Sequence, residues 1–206
     1  MREPRTEMTV EGRAALDLLL DGNDRYCGER CAADRSAGRR RTLVSGQKPI
    51  AAIVGCSDSR VPPDVLFDQP VGSLFVVRTA GHVLSDVGLG SVEYAVDHLS
   101  VPLLLVLGHE RCGAVTAAIQ AEHATGRLAA ILEEISASID VERSGLLDDQ
   151  VSSTVRRHAR RTADALISRS DLIRGRMVRG TLDVVGAIYD LSSGRVAVLP
   201  ADRSLS

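Results

Sequence analysis

No stretch of this chain approaches the ~18 consecutive apolar residues that a membrane-spanning helix requires, so no membrane partner is expected. Its opening, Met1-Arg2-Glu3-Pro4-Arg5-Thr6-Glu7, lacks the apolar centre of a secretory signal, and a cytoplasmic location is expected. Neither charge predominates. With 25 Lys+Arg against 27 Asp+Glu and a formal net charge of −2, nothing favours nucleic acid or an anionic surface. Lysine is almost missing: Lys48 stands alone, and the other cations are arginines spread too widely to mark one patch. Internal repeats and low-complexity segments are absent. Cysteine is sparse, with four residues, and in a reducing compartment four thiols point to metal or catalysis before disulfides.

What remains is an ordinary globular composition, 44% hydrophobic and 25% charged over 206 residues. One domain spanning 1–206 is expected, with an N-terminal helix and arm over 1–49 and an α/β core over 50–206. Glu11 to Tyr26 has the apolar stripe of an amphipathic helix, carried by Leu16, Leu19 and Leu20. Cys27 to Pro49 is polar and rich in Arg and Gly. A loop of that length should be packed on something, and a second subunit is one choice. The runs 50–54, 74–77 and 103–107 are apolar without alternation, as strands buried on both faces of a parallel sheet are. Between the second and third, Val87 to Leu99 has helical periodicity, which implies a right-handed crossover. Helical stretches follow at 113–123, 127–139 and 151–168, with a further turn or two over 171–179. The segments 181–189 and 196–199, joined through Ser192-Ser193-Gly194, read as a closing strand pair. The fold class is therefore α/β: a mostly parallel central sheet flanked by helices.

The chemistry concentrates in Cys56-Ser57-Asp58-Ser59-Arg60 and His109-x2-Cys112. Two thiols and an imidazole suit zinc better than magnesium, calcium or manganese. Three protein ligands leave a fourth position open for water or substrate, the mark of a catalytic zinc. Cys56 follows the first predicted strand within two residues, and His109 follows the third within two. In an open parallel sheet ligands bind outside the carboxyl ends of strands, so the two loops can converge there. The bland readings are a core thiol at Cys56, a turn-stabilising Asp58–Arg60 pair and a satisfied loop histidine. A closed structural zinc with Asp58 as permanent fourth ligand is another.

At these residues the chain resembles the β-class carbonic anhydrases. Gly55-Cys56-Ser57-Asp58-Ser59-Arg60-Val61 and Gly108-His109-x-x-Cys112-Gly113-Ala114 are similar to that family's two zinc-site motifs. Further similarities lie in Gly22-Asn23-x-Arg25-Tyr26, Gly46-Gln47-x-Pro49, Phe75 to Gly81, Ser91-x-Glu93-Tyr94-Ala95 and Val185-Gly186-Ala187-x-Tyr189. The resemblance implies one Zn2+ per subunit on Cys56, His109 and Cys112, and reversible hydration of carbon dioxide to bicarbonate and a proton. It implies catalysis by hydroxide formed at zinc and oriented by an Asp58–Arg60 dyad, and a closed state in which Asp58 itself binds the metal. It also implies substrate contacts from Gln47, Phe75, Tyr94 and the backbone N–H of Gly113. A homo-oligomer, either a dimer or a dimer of dimers, is implied as well, with the N-terminal arm on the partner. Some members are regulated by bicarbonate from a pocket with a Trp three residues before the first Cys ligand. Here Ile53 occupies that position and the chain has no Trp, although Arg78 matches the pocket's arginine. The alternatives are a carbon disulfide hydrolase on the same scaffold and a zinc-stabilised binding module without turnover.

Cys27 and Cys31 are read as ordinary thiols, and His98 as a solvated helix residue with a second reading as proton relay. His82, His123 and His158 receive no role. The arginines at 156, 157, 160, 161, 169, 174, 176 and 179 are read as a solvated basic face, paired with acids at helical spacing.

Overall fold

A computed structural model describes residues 7–120, 124–140 and 145–200. His123 falls outside the described residues. The first helix, α1 (Val10–Cys27), starts where Thr9 Oγ1 accepts from the Gly12 N–H, a side-chain N-cap. It is followed by α2 (Ala37–Thr42), β1 (Ala51–Cys56), α3 (Pro63–Leu66), β2 (Leu74–Thr79) and a tight turn at Ala80–His82. Then come α4 (Asp86–Asp97), β3 (Leu103–His109), α5 (Gly113–Ile119), α6 (Leu128–Ser136), α7 (Leu147–Ser168) and α8 (Asp171–Val178). The strands β4 (Asp183–Tyr189) and β5 (Val196–Val198) close the chain.

These strands form one sheet in the order β2-β1-β3-β4-β5, parallel except for the β4–β5 hairpin. The apolar runs mark the central strands because β1 and β3 are buried at every position. Their alternate side chains feed two cores. Ala52, Val54, Leu104 and Val106 face α4 through α8, whereas Ala51, Ile53, Leu103 and Leu105 face α1 and α3. Helices thus cover both faces of the sheet, as parallel strands demand.

The strand order places the site. From β1 the chain moves to β2 on one side, and from β3 it moves to β4 on the other. A crevice opens where adjacent connections diverge, outside the carboxyl ends of β1 and β3.

The polar stretch after α1 is longer than a free loop would be, and its anchors are in the same chain. Asp68, whose side chain is fully buried, accepts from the Ala32 and Ala33 N–H groups and from Arg25 Nε at 2.7 Å. Arg39 donates to the Val71 carbonyl, and α2 interrupts what the sequence suggests is continuous loop. The helix α1 packs into the core through its apolar stripe, with Ala15, Leu16 and Leu19 buried beneath the sheet. Asn23 explains part of the Gly22-Asn23 motif. Its amide donates to the carbonyls of Leu66 and Gly194 and its carbonyl accepts from the Val196 N–H. A Cβ on Gly22 would stand 1.8 Å from the Phe67 carbonyl oxygen, so only glycine fits.

Candidate metal centre

Cys56 is the last residue of β1 and His109 the last of β3, each within the strand rather than beyond it. Cys112 caps α5, three residues further on, after a left-handed Arg111 (φ 53°) turns the chain back. The three side chains are buried, and their ligand atoms all lie within 4.8 Å of one another. Nε2 of His109 is buried without a hydrogen-bond partner among the described residues. Its other nitrogen, Nδ1, meets the Glu110 carbonyl at 2.9 Å. A carbonyl only accepts, so Nδ1 carries the proton and Nε2 offers a bare lone pair to the sulfurs. That orphaned nitrogen between two thiols fits a tetrahedral zinc with one position left open.

The sulfurs are prepared for a cation. The Asp58 and Gly81 N–H groups point at Cys56 Sγ from 3.4 and 3.3 Å. Hydrogen bonding with Cys112, aided by His109 and the Asp58 N–H, holds the Cys56 thiol down to about 4 against the opposing effect of burial. The same bond, together with burial, pushes the Cys112 thiol up.

Asp58 faces this cluster from the loop after β1. Arg60 grips it in fork geometry: Nε is 3.0 Å from Oδ1, Nη2 is 2.7 Å from Oδ2, and the Arg60 N–H is 2.9 Å from Oδ1. The guanidinium bond, chiefly, holds the Asp58 carboxyl down to about 2, although partial burial opposes it. Arg78 fixes the loop from beneath, donating to the carbonyls of Cys56 (2.8 Å) and Asp58 (2.6 Å). Its donors are engaged with backbone, and Ile53 three residues before Cys56 is buried.

The remaining predicted site residues come from other segments of the chain. Phe75 on β2 is half-buried, with its ring 6.1 Å from that of Tyr94, and Tyr94 on α4 is 46% exposed. His98 stacks on Tyr94 at 4.7 Å and is mostly exposed. Gly113 opens α5 with nothing within 4 Å of where a Cβ would stand. Gln47 lies exposed between α2 and β1. Cys27 is half-buried and Cys31 exposed, both as free thiols. The basic face is largely neutralised across elements: Arg156 pairs with Glu110, Arg157 with Asp140, Arg161 with Glu134, Arg169 with Asp86 and Arg176 with Asp97. Arg174–Asp171 is the pair at helical spacing.

A family model described as carbonic anhydrase matches residues 51–196, which include Cys56, His109 and Cys112. The chain is 42% identical over 191 residues to carbonic anhydrase 2 of Mycobacterium tuberculosis, covering 90% of this chain and 91% of that one. The protein belongs to the β-class carbonic anhydrase family. Among solved members, the β-carbonic anhydrase CafA of Aspergillus fumigatus superposes with a TM-score of 0.75 at 28% identity, covering 93% of this chain and 91% of that one. The Coccomyxa β-carbonic anhydrase, solved with acetazolamide, gives 0.72 at 29% identity, covering 89% and 86%. Membership in this family makes the chain an enzyme and accounts for zinc-type ligands at the crevice. No helix among the described residues is long and apolar enough to cross a membrane.

Two site features carry no signal in the residue pattern. The Gly81 N–H reaches Cys56 from a turn twenty-five residues away, and His158 supports that turn from α7.

Proposed function

We propose that this chain hydrates carbon dioxide reversibly to bicarbonate and a proton, with one zinc per chain held by Cys56, His109 and Cys112. The observation that carries the reading is the buried cluster of two sulfurs and the unpartnered His109 Nε2, with Asp58 Oδ2 only 3.9 Å from that nitrogen. When bound, zinc lowers the pKa of a coordinated water toward about 7 and so supplies a nucleophile near neutral pH. Asp58, ionised throughout that range, accepts a hydrogen bond from the attacking O–H and aims the oxygen's lone pair at the substrate carbon. Arg60 keeps the carboxylate off the cluster, and Arg78 keeps both residues on one rigid loop. In this reading the resting state has Asp58 on Arg60, with both carboxylate oxygens held. The closed alternative requires Oδ2 to exchange Arg60 for the metal.

Carbon dioxide is assigned contacts with Phe75, Tyr94 and the backbone N–H of Gly113, where nothing stands within 4 Å of a Cβ position. The same reading includes a homo-oligomer, a dimer or a dimer of dimers, with Gln47 among the substrate-contacting residues. Strand β2 is a half-buried sheet edge, and Val44 and Val87 are exposed, apolar surface of the kind a partner subunit covers. Light scattering on the purified protein checks the assembly.

The test of the activity is stopped-flow assay of zinc-loaded protein with carbon dioxide and with carbon disulfide. Rapid hydration of carbon dioxide is expected. Hydration no faster than buffer, or turnover of carbon disulfide alone, would contradict the proposal.

A further inference from the structure

The turn after β2 holds two costly features side by side. Gly81 (φ 62°) and His82 (φ 50°) are successive left-handed residues, a conformation that glycine accepts and histidine rarely does. His82 is also fully buried, and neither of its ring nitrogens has a partner among the described residues. Strain and an unpaired polar group persist together only where the surroundings hold them in place, and they often mark function.

What this turn delivers is the Gly81 N–H, 3.3 Å from Cys56 Sγ. What holds the turn is His158, whose Nε2 lies 3.0 Å from the Gly81 carbonyl. Because a carbonyl can only accept, Nε2 bears the proton. The neutral ring then accepts at Nδ1, where Ser138 Oγ stands at 3.1 Å and donates. Burial favours this neutral form of His158. The imidazole also packs on His82, ring centre to ring centre at 4.6 Å. From the opposite side the turn is crowded by α5 and α6, for a Cβ on Gly81 would stand 3.3 Å from Ala114 Cβ and 2.7 Å from Ile135 Cδ1. Three helices therefore fix one peptide that meets the site through an N–H on a sulfur.

We propose that His158 is a positioning residue for the metal centre, donating to the Gly81 carbonyl so that the left-handed turn keeps the Gly81 N–H on the Cys56 sulfur. An N–H on a coordinating thiolate drains electron density from it and fixes the direction of its lone pairs. In a centre with two thiolates and one imidazole, that withdrawal sets how acidic the metal is. The inference rests on the reading of Cys56, His109 and Cys112 as ligands.

The experiment uses full-length protein loaded with cobalt(II) for spectroscopy and with zinc for chelator competition. Wild type is compared with His158→Leu, His158→Gln and Ser138→Ala. His158→Leu is expected to shift the thiolate-to-cobalt charge-transfer band to lower energy and to speed zinc loss to a chelator about tenfold or more. Glutamine can donate to Gly81 and accept from Ser138, so His158→Gln is expected to restore both readouts towards wild type. Ser138→Ala, which frees the tautomer while keeping the imidazole, is expected to move them in the same direction by less, and it decides the matter if His158→Leu fails to fold. Wild-type spectra and zinc loss in Ser138→Ala and in every folded His158 variant would overturn the proposal. So would a lower melting temperature with an unmoved band, which is what mere packing gives. A wild-type protein that takes up neither metal would overturn the ligand reading itself, a distinct result.

Discussion

Asp58 Oδ2 sits 2.7 Å from Arg60 Nη2 and 3.9 Å from His109 Nε2, so one carboxylate oxygen lies between its cation and the candidate metal ligand. Which neighbour it serves determines whether the centre is open or blocked. In this structure Arg60 holds it with side-chain and backbone donors together.

Arg60→Leu removes the largest influence holding the Asp58 carboxyl down but leaves the residue 60 N–H in place. The carboxyl is expected to rise from about 2 toward the ordinary carboxylate range near ~3.9. Carbon-13 titration of the Asp58 carboxyl measures this directly. Carbon dioxide hydration should fall about tenfold or more, because the oxygen that orients the nucleophile is no longer held. An unchanged titration would mean that the backbone N–H alone sets the carboxylate.

Arg78→Met removes two charge-assisted bonds, to the carbonyls of Cys56 and Asp58. Bonds to a charged donor are worth ~1.5–3 kcal/mol each, and a loss of about 2–3 kcal/mol in urea unfolding is expected for this half-buried residue. Zinc content should stay at wild-type level while turnover declines. Stability equal to wild type would show that water replaces both bonds without cost.

Thiol counting separates the ligands from the bystanders. Of the four free cysteines, Cys27 and Cys31 should react with an aromatic disulfide reagent in the zinc-loaded protein, while Cys56 and Cys112 should not. After chelation all four should react. Cys56 should react faster than Cys112, because it is the thiol held as thiolate. Four reactive thiols before chelation would contradict the ligand assignment.

Acid should destabilise the fold through His82 and His158. Burial, first in both cases, holds each below its ordinary value. His158 and His109 add to the effect at His82, and Arg161 opposes Glu134 at His158. In the unfolded chain both titrate near ~6.5. Their contribution to stability is therefore present above that pH and is lost as the pH falls toward the lower folded values. The urea midpoint should drop between pH 7.5 and 5.5. The drop should be shallower in His82→Asn, since asparagine accepts the left-handed backbone without a titrating ring. Parallel slopes for the two proteins would contradict this.

Much of the fold is legible in the chain because β1 and β3 are buried on both faces and must read as unbroken apolar runs. Their ends then locate Cys56 and His109 at one crevice, and the spacing to Cys112 completes the ligand set. What is not legible is tertiary. The short helices α2 and α3 lack the length to develop periodicity. Asp68, buried and left-handed (φ 42°), organises the segment after α1 without any local pattern announcing it. His158 looks like one more residue on an arginine-rich helix until the fold sets it against Gly81.

The central claim is that three residues hold the metal and that Asp58 does the orienting. Zinc content and carbon dioxide hydration, measured on the same samples of wild type and Asp58→Ala, test it most directly. One zinc per chain is expected in both proteins, with hydration reduced about a hundredfold or more in the variant. Full activity in Asp58→Ala, or loss of its zinc, would contradict the account.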